Sequence, residues 1–514
     1  MSKQVFYDPQ RKRWKRLRRL FDLLALFGAL VGVIFLFGLL RMKPMHGLDL
    51  RSATRKYRAL SNPPANELLS KEQLNRSAHR ETDLKPSDVV LNQGEGLRAA
   101  FYTDADPASY ASFKQHVKQI DLLFPEWLHV VKPDGALTAI NSSNVPFAVV
   151  EGTIVHGVDR ENKIARAISA AREDTEIFPM VNNYSAADGV FEDSIGQMLL
   201  NPTARANFIH QVDLFLAANT LYRGLTLNFQ GIPIAAQSGY LLLAQALYSD
   251  FHPRNLRLYI NVPVEDSDFD LKSLAASSDG LILMNYDQHQ VETDPGPVAG
   301  QDWFADNLRA AMKVVPREKL ICSIGSFGYD WTSTLPPPPP KQKGSHSSKQ
   351  KPFVPTVLST TSLSTQEAWQ EASDAGATID LGGPLLNPHF AYDDDDAKVR
   401  HDVWFLDAVT VLNQMRVARA LGLQTFALWR LGSEDDSLWK IWDSPLHANP
   451  AKDLAEVLPG QDVDTEGDGD ILKVTGEPQN GHRTITMDVD PTIPSQYLSV
   501  IAETMDSYPL PYTI

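Results

Sequence analysis

Short apolar runs alternate with stretches of helical period from residue 96 to about residue 430. Apolar runs of about four to eight residues that end in polar or turn residues are typical of buried strands. Apolar positions three to four residues apart are typical of helices packed against a sheet. The pattern predicts amphipathic helices that include 204–221 and 404–421, and eight strands at 97–103, 122–128, 177–182, 224–229, 256–262, 280–286, 319–326 and 425–429.

Eight alternations of strand and helix predict an α/β fold, a (β/α)8 TIM barrel over residues 96–450. An open doubly wound sheet is the alternative, but that fold usually carries a glycine-rich phosphate-binding turn after its first strand. Here the corresponding turn is Asp104-Ala105-Asp106-Pro107, and its two carboxylates would repel a phosphate. We therefore expect the closed barrel.

The N-terminal 22 residues are strongly basic and precede an uncharged apolar segment at 23–40. Such a segment is just long enough to cross a hydrocarbon core of about 30 Å. A cleaved signal peptide is the alternative, but its apolar region is normally shorter and ends in small residues, whereas Leu39, Leu40 and Arg41 stand here. We expect one transmembrane helix, with residues 1–22 in the cytoplasm and the remainder exported, because the denser basic cluster precedes the span.

Three further segments differ in texture from the predicted barrel. Residues 41–95 are mixed and polar and predict a stalk. Residues 332–363, rich in Pro, Lys and Ser, predict an extended surface insertion after strand seven; a proline-rich ligand for a partner is the alternative. Residues 451–514 predict a small β appendage, with strands at 471–474, 484–489 and 497–502 and a turn at 480–481.

Charge is distributed unevenly along the chain. The net charge is −15, but residues 1–59 carry +11, so the remainder carries −26. An acidic folded part argues against a nucleic-acid surface, which needs clustered Lys and Arg to neutralise phosphates. The single cysteine, Cys322, can form neither an internal disulfide nor a thiolate metal site, and we expect neither metal nor cofactor. The acidic run 393–396 lacks the calcium-loop pattern, so a solvated loop is expected.

Polar and aromatic residues follow the predicted strands, where a barrel collects its functional groups on one face. Loops are commonly polar, but this mixture of acids, amides and aromatic faces suits a sugar, whose C–H faces stack on rings while its hydroxyls need donors and acceptors. The set comprises Asp104, Asp106, Glu126, Trp127, Asn182, Asn183, Tyr184, Gln230, Glu265, Tyr286, Asp287, Tyr329, Asp330, Trp429, Arg430 and Glu434.

Three stretches of sequence resemble glycoside hydrolase family 18, the chitinase-like barrels. The run 221–233 matches the spacing of the family signature Asp-Gly-x-Asp-x-Asp-x-Glu, and 283–287 and 426–429 resemble its sixth and last strands. The resemblance implies that Tyr286 and Asp287 contact an acetamido group and that Trp429 floors a sugar subsite. We assign substrate binding to Tyr286, Asp287, Trp429, Met284, Asn182, Glu126 and Tyr102.

The four acidic positions of the signature are occupied here by Arg223, Thr226, Asn228 and Gln230. Gln230 stands where the family has its proton donor, and an amide gives no proton near neutral pH. Asn228 could still hydrogen-bond an acetamide but would lose the charge that stabilises a cationic intermediate. The sequence therefore predicts impaired catalysis, with Glu126 or Asp287 as the alternative proton donor from another strand.

The strings 401–408 and 427–435 resemble one bacterial branch of the family more specifically. In that branch a membrane anchor precedes the barrel, and a polysaccharide deacetylase and a glycosyltransferase follow it. The resemblance implies a bacterial inner-membrane protein with its barrel in the periplasm or outside the cell. Three hypotheses follow: a noncatalytic barrel that binds or guides an N-acetylated polysaccharide, an active glycosidase with a displaced acid, and a non-binding scaffold for a glycosyltransferase or deacetylase on another chain.

Overall fold

The structure is a computed structural model. It describes residues 57–59, 96–140, 146–150, 153–154, 160–171, 173–185, 189–218, 221–264, 266, 268–335, 355–377, 379–380, 385–436, 438–442, 462–466, 471–475, 485–488 and 512–513. The predicted cytoplasmic segment 1–22 and transmembrane helix 23–40 lie outside these residues. Among the described residues, no helix is both long and apolar enough to span a membrane.

The described elements follow the predicted alternation. The strands are β1 (Tyr57–Ala59), β2 (Arg98–Thr103), β3 (Leu122–His129), β4 (Thr138–Ile140), β5 (Pro146–Val150), β6 (Thr153–Ile154), β7 (Glu176–Ile177), β8 (Met180–Asn182), β9 (Tyr184–Ser185), β10 (Val190–Phe191), β11 (Gly224–Asn228), β12 (Arg257–Pro263), β13 (Gly280–Met284), β14 (Leu320–Gly325), β15 (Gly328–Thr334), β16 (Val357–Leu363), β17 (Ile379–Asp380), β18 (His389–Asp394), β19 (Val399–Phe405), β20 (Phe426–Trp429), β21 (Asp462–Glu466), β22 (Ile471–Thr475), β23 (Ile485–Asp488) and β24 (Tyr512–Thr513). The helices are α1 (Pro107–His116), α2 (Arg160–Ala171), α3 (Ser194–Leu200), α4 (Pro202–Ala218), α5 (Gln237–Phe251), α6 (Leu271–Ala276), α7 (Gln301–Ala311), α8 (Thr365–Ala375), α9 (Ala408–Ala420) and α10 (Leu438–Ile441).

Eight of the described strands close into a parallel barrel, in the order β2, β20, β14, β13, β12, β11, β8 and β3. Closure is made by β2 and β3, which pair in parallel from Ala99 opposite Leu122 to Thr103 opposite Glu126. This pairing excludes an open doubly wound sheet, so the predicted (β/α)8 barrel is confirmed. Seven of the predicted barrel strands lie within two residues of the observed ones at both ends, and the third, predicted at 177–182, begins three residues later, at Met180 of β8.

Side chains alternate along each barrel strand between the barrel interior and the layer that packs against the helices. In β2, Ala99 and Phe101 belong to an interior cluster with Phe124, Phe178 and Tyr259 from neighbouring strands. Ala100 and Tyr102 point the other way, into the larger core shared with the helices. Successive side chains of a strand face opposite sides. Every second residue of a barrel strand therefore points into the interior, up to the carboxyl end of the strand.

The predicted insertion after the seventh strand is part of a larger unit, called here the inserted subdomain. Antiparallel strands β16, β15, β19, β18 and β17 form a sheet, and α8 packs on one face of it through Trp369 and Phe405. The predicted insertion 332–363 covers only the first hairpin of this unit, and 336–354 lie outside the described residues. β15 and β16 remain joined at the described ends, where the Thr334 amide donates to the Thr356 carbonyl at 3.0 Å.

Three expectations differ from the structure in this region. The acidic run is not a wholly solvated loop, because Asp393 lies within β18, is fully buried and pairs with Arg400 at 2.9 Å. The helix predicted at 404–421 begins at Ala408, where Asp407 caps it by accepting a hydrogen bond from the Thr410 amide. Part of the predicted stalk, β1, pairs with β18 as an edge strand.

The C-terminal segment contains a three-stranded antiparallel sheet in the order β21, β22 and β23. β22 and β23 coincide with two of the predicted appendage strands, whereas β21 was not predicted. The third predicted strand, 497–502, and the predicted turn at 480–481 lie outside the described residues. β24 pairs in parallel with β17 of the inserted subdomain.

Candidate functional site

A cavity of about 680 Å³ opens at the carboxyl end of the barrel strands. It is bordered by residues from the strand ends, from the β9–β10 hairpin, from the loop after β13 and from the inserted subdomain. The lining consists of Glu126, Asn182, Tyr184, Phe191, Asn228, Gln230, Pro263, Val264, Met284, Tyr286, Asp287, Gln290, Val291, Trp303, Phe327, Tyr329, Ser362, Leu363, Ser364, Glu367, Trp429, Arg430 and Ser433. A (β/α)8 barrel characteristically binds its ligand at this face.

β11 brings two of the four signature positions to the cavity, and a third lies below them. Asn228 and Gln230 line the cavity, and Thr226, two positions earlier on the same strand, is fully buried. Arg223 is exposed at the opposite end of the strand, where its amide donates to the Ile177 carbonyl. Replacement of an acid at position 223 therefore changes nothing in the cavity itself.

Gln230 is held at the cavity by its main chain. The Asn183 side-chain amide donates to the Gln230 carbonyl at 2.8 Å, and Asn183 Oδ1 accepts from the Gln230 amide at 2.9 Å. The Gln230 side chain donates to Asn228 Oδ1 at 3.4 Å and contacts Met284 Sδ at 3.9 Å. The amide therefore stands among neutral partners, and none of these contacts supplies a proton.

Glu126 is a carboxyl group near Asn228 in the barrel. Its hydrogen-bond partner, Asn182, pairs with Asn228 between β8 and β11. Asn182 Nδ2 donates to Glu126 Oε1 at 2.7 Å, and the Tyr184 amide fixes the orientation of Asn182 by donating to its Oδ1 at 3.1 Å. Burial raises the pKa of Glu126, while the Asn182 hydrogen bond and the charge of Arg430 act against the rise. A carboxyl group of this kind can hold a proton closer to neutral pH than a solvated one.

Asp287 lies on the opposite side of the cavity, immediately after β13, with a left-handed backbone at φ 66°. Tyr329 from the inserted subdomain donates its hydroxyl to Asp287 Oδ1 at 2.8 Å. Burial raises the pKa of Asp287 to about 6, although the Tyr329 hydrogen bond lowers it. The Asp287 carboxyl therefore changes charge within the physiological range.

Aromatic rings form the floor of the cavity. Trp429 stacks on Tyr286 with ring centroids 6.1 Å apart and an interplanar angle of 24°. Phe101 meets Trp429 edge-on at 5.1 Å, and Phe327 meets Tyr286 edge-on at 5.8 Å. The rings of Tyr286 and Phe101 pack against Trp429 and fix its orientation. The ring face of Trp429 that remains suits the C–H face of a sugar.

The structure gathers all but one of the predicted ligand-contacting residues around this cavity. Glu126, Asn182, Asn228, Gln230, Met284, Tyr286, Asp287 and Trp429 line it. Tyr102 lies instead in the layer beneath the helices, where its hydroxyl donates to Asp104 Oδ1 at 2.7 Å and its ring packs edge-on against Phe113 and Trp127. Its assignment to substrate binding is corrected, because Tyr102 occupies an outward position of β2.

Several cavity residues were not identified from the sequence. Phe191 comes from the short β9–β10 hairpin, Val291 and Trp303 from the loop and helix after β13, and Glu367 from the first turn of α8. They lie far apart in the chain and belong to no motif, so only the fold brings them together. Conversely, Glu434 and Asp104 lie outside the cavity lining; Glu434 accepts from Trp439 Nε1 at 3.1 Å.

The fold is a (β/α)8 barrel similar to those of solved chitinases, with a cavity at the carboxyl end of its strands. The chain resembles a crystal structure of a chitinase from Chromobacterium violaceum, with a TM-score of 0.54, 21% identity and coverage of 67% of this chain and 96% of that one. It resembles the spore cortex-lytic enzyme SleL of Bacillus megaterium with a TM-score of 0.54, 18% identity and coverage of 76% and 86%. The expected chitinase-like barrel is thereby confirmed as a fold.

Two sequence relatives are named as glycosylases. The chain is 27% identical over 263 residues to a Bacillus subtilis protein named as a sporulation-specific glycosylase, YdhD, and 22% identical over 286 residues to an uncharacterized glycosylase, YvbX, of the same organism. These matches cover 50% and 53% of this chain and 58% and 75% of the relatives. No protein-family model matches the chain.

Proposed function

We propose that this protein binds an N-acetylated glycan in the barrel cavity without efficiently cleaving it. The observation that carries the proposal is Gln230, an amide at the cavity where the resembled family has its proton-donating acid. The loss of a general acid typically removes about 10²- to 10⁴-fold of the rate, while contacts to the sugar are retained.

Binding is supported by the remaining lining. Trp429 offers a ring face, Asp287 and Glu126 offer acceptors, and Asn228 and Gln230 offer amides with both donors and acceptors. The similarity to chitinases and cortex-lytic enzymes favours a glycan built from N-acetylated amino sugars. The third hypothesis, a scaffold without a ligand, leaves this combination of rings, amides and acids without a role.

Binding and turnover of chitooligosaccharides by the full-length protein test the proposal. We expect saturable binding without product formation, and at least a tenfold weaker affinity for Trp429→Ala, about 1.4 kcal/mol. Tyr248→Ala, which removes a ring from α5 outside the cavity, is the matched control and should bind as the wild type does. Equal affinity in all three proteins, or no binding in any of them, would overturn the proposal.

A hydrolase with a displaced acid is the second candidate, and Glu126 is the observation that favours it. Burial raises the pKa of Glu126, which suits a proton donor, and the hydrogen bond from Asn182 holds the carboxyl group in place. If the wild type releases product, Glu126→Gln and Asp287→Asn should each be assayed. Loss of turnover in either variant, with binding preserved, would support this candidate and replace the first.

The cellular setting belongs to the same proposal. The basic segment 1–22 and apolar segment 23–40 favour a single-pass anchor in a bacterial inner membrane, with the barrel in the periplasm or outside the cell. A glycosyltransferase or deacetylase on another chain would supply or modify the bound polymer. Membrane fractionation with protease digestion of intact spheroplasts tests the topology, and co-purification from detergent tests the partner.

A further inference from the structure

Three potential metal ligands meet in the inserted subdomain, outside the lining of the barrel cavity. They are Asp330 on β15, Glu371 on α8 and His401 on β19, and one ligand atom from each lies within 4.8 Å of the other two. Asp330 Oδ2 lies 2.7 Å from His401 Nδ1, and Glu371 Oε1 lies 3.9 Å from the same nitrogen. Separate elements of the fold supply the three groups, so the tertiary structure fixes their arrangement.

Asp330 has an unused acceptor at this point. Its residue is only 7% exposed, and its Oδ1 is buried without a hydrogen-bond partner among the described residues. A buried carboxylate oxygen without a donor costs free energy unless a cation or a proton satisfies it. The second oxygen, Oδ2, already lies 2.7 Å from His401 Nδ1, so a cation bound by Asp330 would give this carboxylate the partner that it lacks.

Neighbouring groups fix the other two ligands. Tyr392 donates its hydroxyl to Glu371 Oε1 at 2.8 Å, and its ring stacks on the His401 ring at 4.6 Å with an interplanar angle of 4°. Such outer contacts are what orient a ligating carboxylate and imidazole in known metal sites. The side chains of His401 and Glu371 are 17% and 21% exposed, which leaves an entry path from solvent.

We infer that Asp330, Glu371 and His401 form a binding site for a divalent transition-metal ion. One imidazole nitrogen with two carboxylates suits Zn²⁺ or Mn²⁺; Ca²⁺ and Mg²⁺ prefer sites made entirely of oxygen ligands. Ligand atoms about 2.1 Å from a tetrahedral Zn²⁺ stand about 3.4 Å from one another. The observed separations bracket that value, so small rotations of Asp330 and Glu371 would close the site around the ion.

The site would join α8 to the sheet of the inserted subdomain. Ser364 and Glu367, at the N-terminal end of the same helix, line the barrel cavity and form a capping box. Metal binding would therefore stabilise one wall of the cavity without placing the ion in it. The inference stands on the geometry of the cluster alone and does not depend on the proposed glycan binding.

The experiment measures metal binding by the full-length protein after treatment with EDTA. Isothermal titration with ZnCl₂ or MnCl₂ should give one saturable site per chain, and the melting temperature should rise by at least about 2 °C at saturation. CaCl₂ and MgCl₂ should produce at least tenfold weaker binding. With CoCl₂ as a probe, d–d absorption should appear without a thiolate charge-transfer band.

Three near-isosteric variants locate the site: Asp330→Asn, Glu371→Gln and His401→Gln. Each should weaken Zn²⁺ binding at least tenfold and reduce the thermal shift, while far-ultraviolet circular dichroism shows that the variants remain folded. His252→Gln, which removes an exposed imidazole at the end of α5, is the control and should bind like the wild type. Absence of stoichiometric binding in the wild type, or retention of full binding in all three variants, would overturn the inference.

Discussion

At the scale of single residues, the main chain fixes position 230 at the cavity. The side chain of Asn183, which follows β8, donates one hydrogen bond to the Gln230 backbone and accepts another from it, and the Gln230 side chain contacts Asn228 and Met284. Because the main chain makes the anchoring bonds, they fix the position of residue 230 without requiring a particular side chain there.

A double substitution tests the proposal that the absence of an acid at position 230 limits catalysis. Gln230→Glu combined with Asn228→Asp should produce or increase hydrolysis of chitooligosaccharides by about 10²-fold or more, since a proton donor and a stabilising charge are both supplied. Product formation is measured by chromatography, and Arg223→Asp, at the far end of β11, serves as the control. No gain in the double variant would show that other cavity residues also prevent turnover.

Asp287 should make the protein sensitive to pH. Its pKa rises from 3.8 to about 6 on folding, so between roughly pH 4 and pH 6 the folded state binds more protons than the unfolded state. The contribution of Asp287 to stability is therefore most favourable below pH 4 and decreases as the pH rises through 6. In Asp287→Asn, the free energy of unfolding should change less across this window, as measured by urea denaturation at a series of pH values. An unchanged pH profile would contradict the assignment.

At the scale of elements, α5 buries one face, and two adjacent residues on it provide a matched pair. Leu243 is fully buried against the barrel, whereas Leu242 is 52% exposed. Leu243→Ala should lower the free energy of unfolding by about 2–5 kcal/mol, because it leaves a cavity in the core. Leu242→Ala should change it by no more than about 0.5 kcal/mol. Urea denaturation of both variants measures the difference, and equal effects would contradict the assigned packing.

The barrel strands were predictable because each is buried on both sides and reads as an apolar run. The inserted subdomain was not, for a physical reason visible in β16: its sequence, Val357–Leu363, is largely Ser and Thr, and much of it is exposed at a sheet edge. Antiparallel edge strands of this kind lack the apolar signal of parallel ones. The strand-end residues of the site were predictable, but the contributions from β10, α7 and α8 depend on folding of distant segments.

The assignment of Tyr102 to the cavity did not take account of the direction in which its side chain points. Its position at the end of β2 suggested the cavity, but a strand alternates, and Phe101 is the residue that faces the interior and meets Trp429. Asp330 was noted as a strand-end residue, but its cluster with Glu371 and His401 was not predicted, for another reason. Asp330 and His401 are 71 positions apart and become neighbours only through the inserted sheet.

At the scale of the whole molecule, the inserted subdomain and the barrel share an apolar cluster. Trp331 and Trp404 of the inserted sheet pack with Met284, Tyr286 and Phe327, which line the cavity. The Trp331 indole also donates to the Thr293 carbonyl in the loop after β13, at 3.0 Å. The wall of the cavity is therefore built jointly by the two parts.

Removal of this shared packing should affect ligand binding as well as stability. Trp331→Ala should lower the free energy of unfolding by about 3–5 kcal/mol and weaken chitooligosaccharide binding at least tenfold. Trp369→Ala removes an equally buried ring from the opposite face of the inserted sheet and should reduce stability with a smaller effect on binding. Calorimetry and binding titration distinguish the two, and equal losses of affinity would contradict the shared-wall assignment.

The two-point grip of Asn183 on the main chain at position 230 has an evolutionary consequence. Glutamine and glutamate codons differ by a single nucleotide, and the grip holds the loop in place with either side chain attached. One mutation at this codon would therefore add or remove a carboxyl group at position 230 without disturbing the hydrogen bonds that anchor the loop.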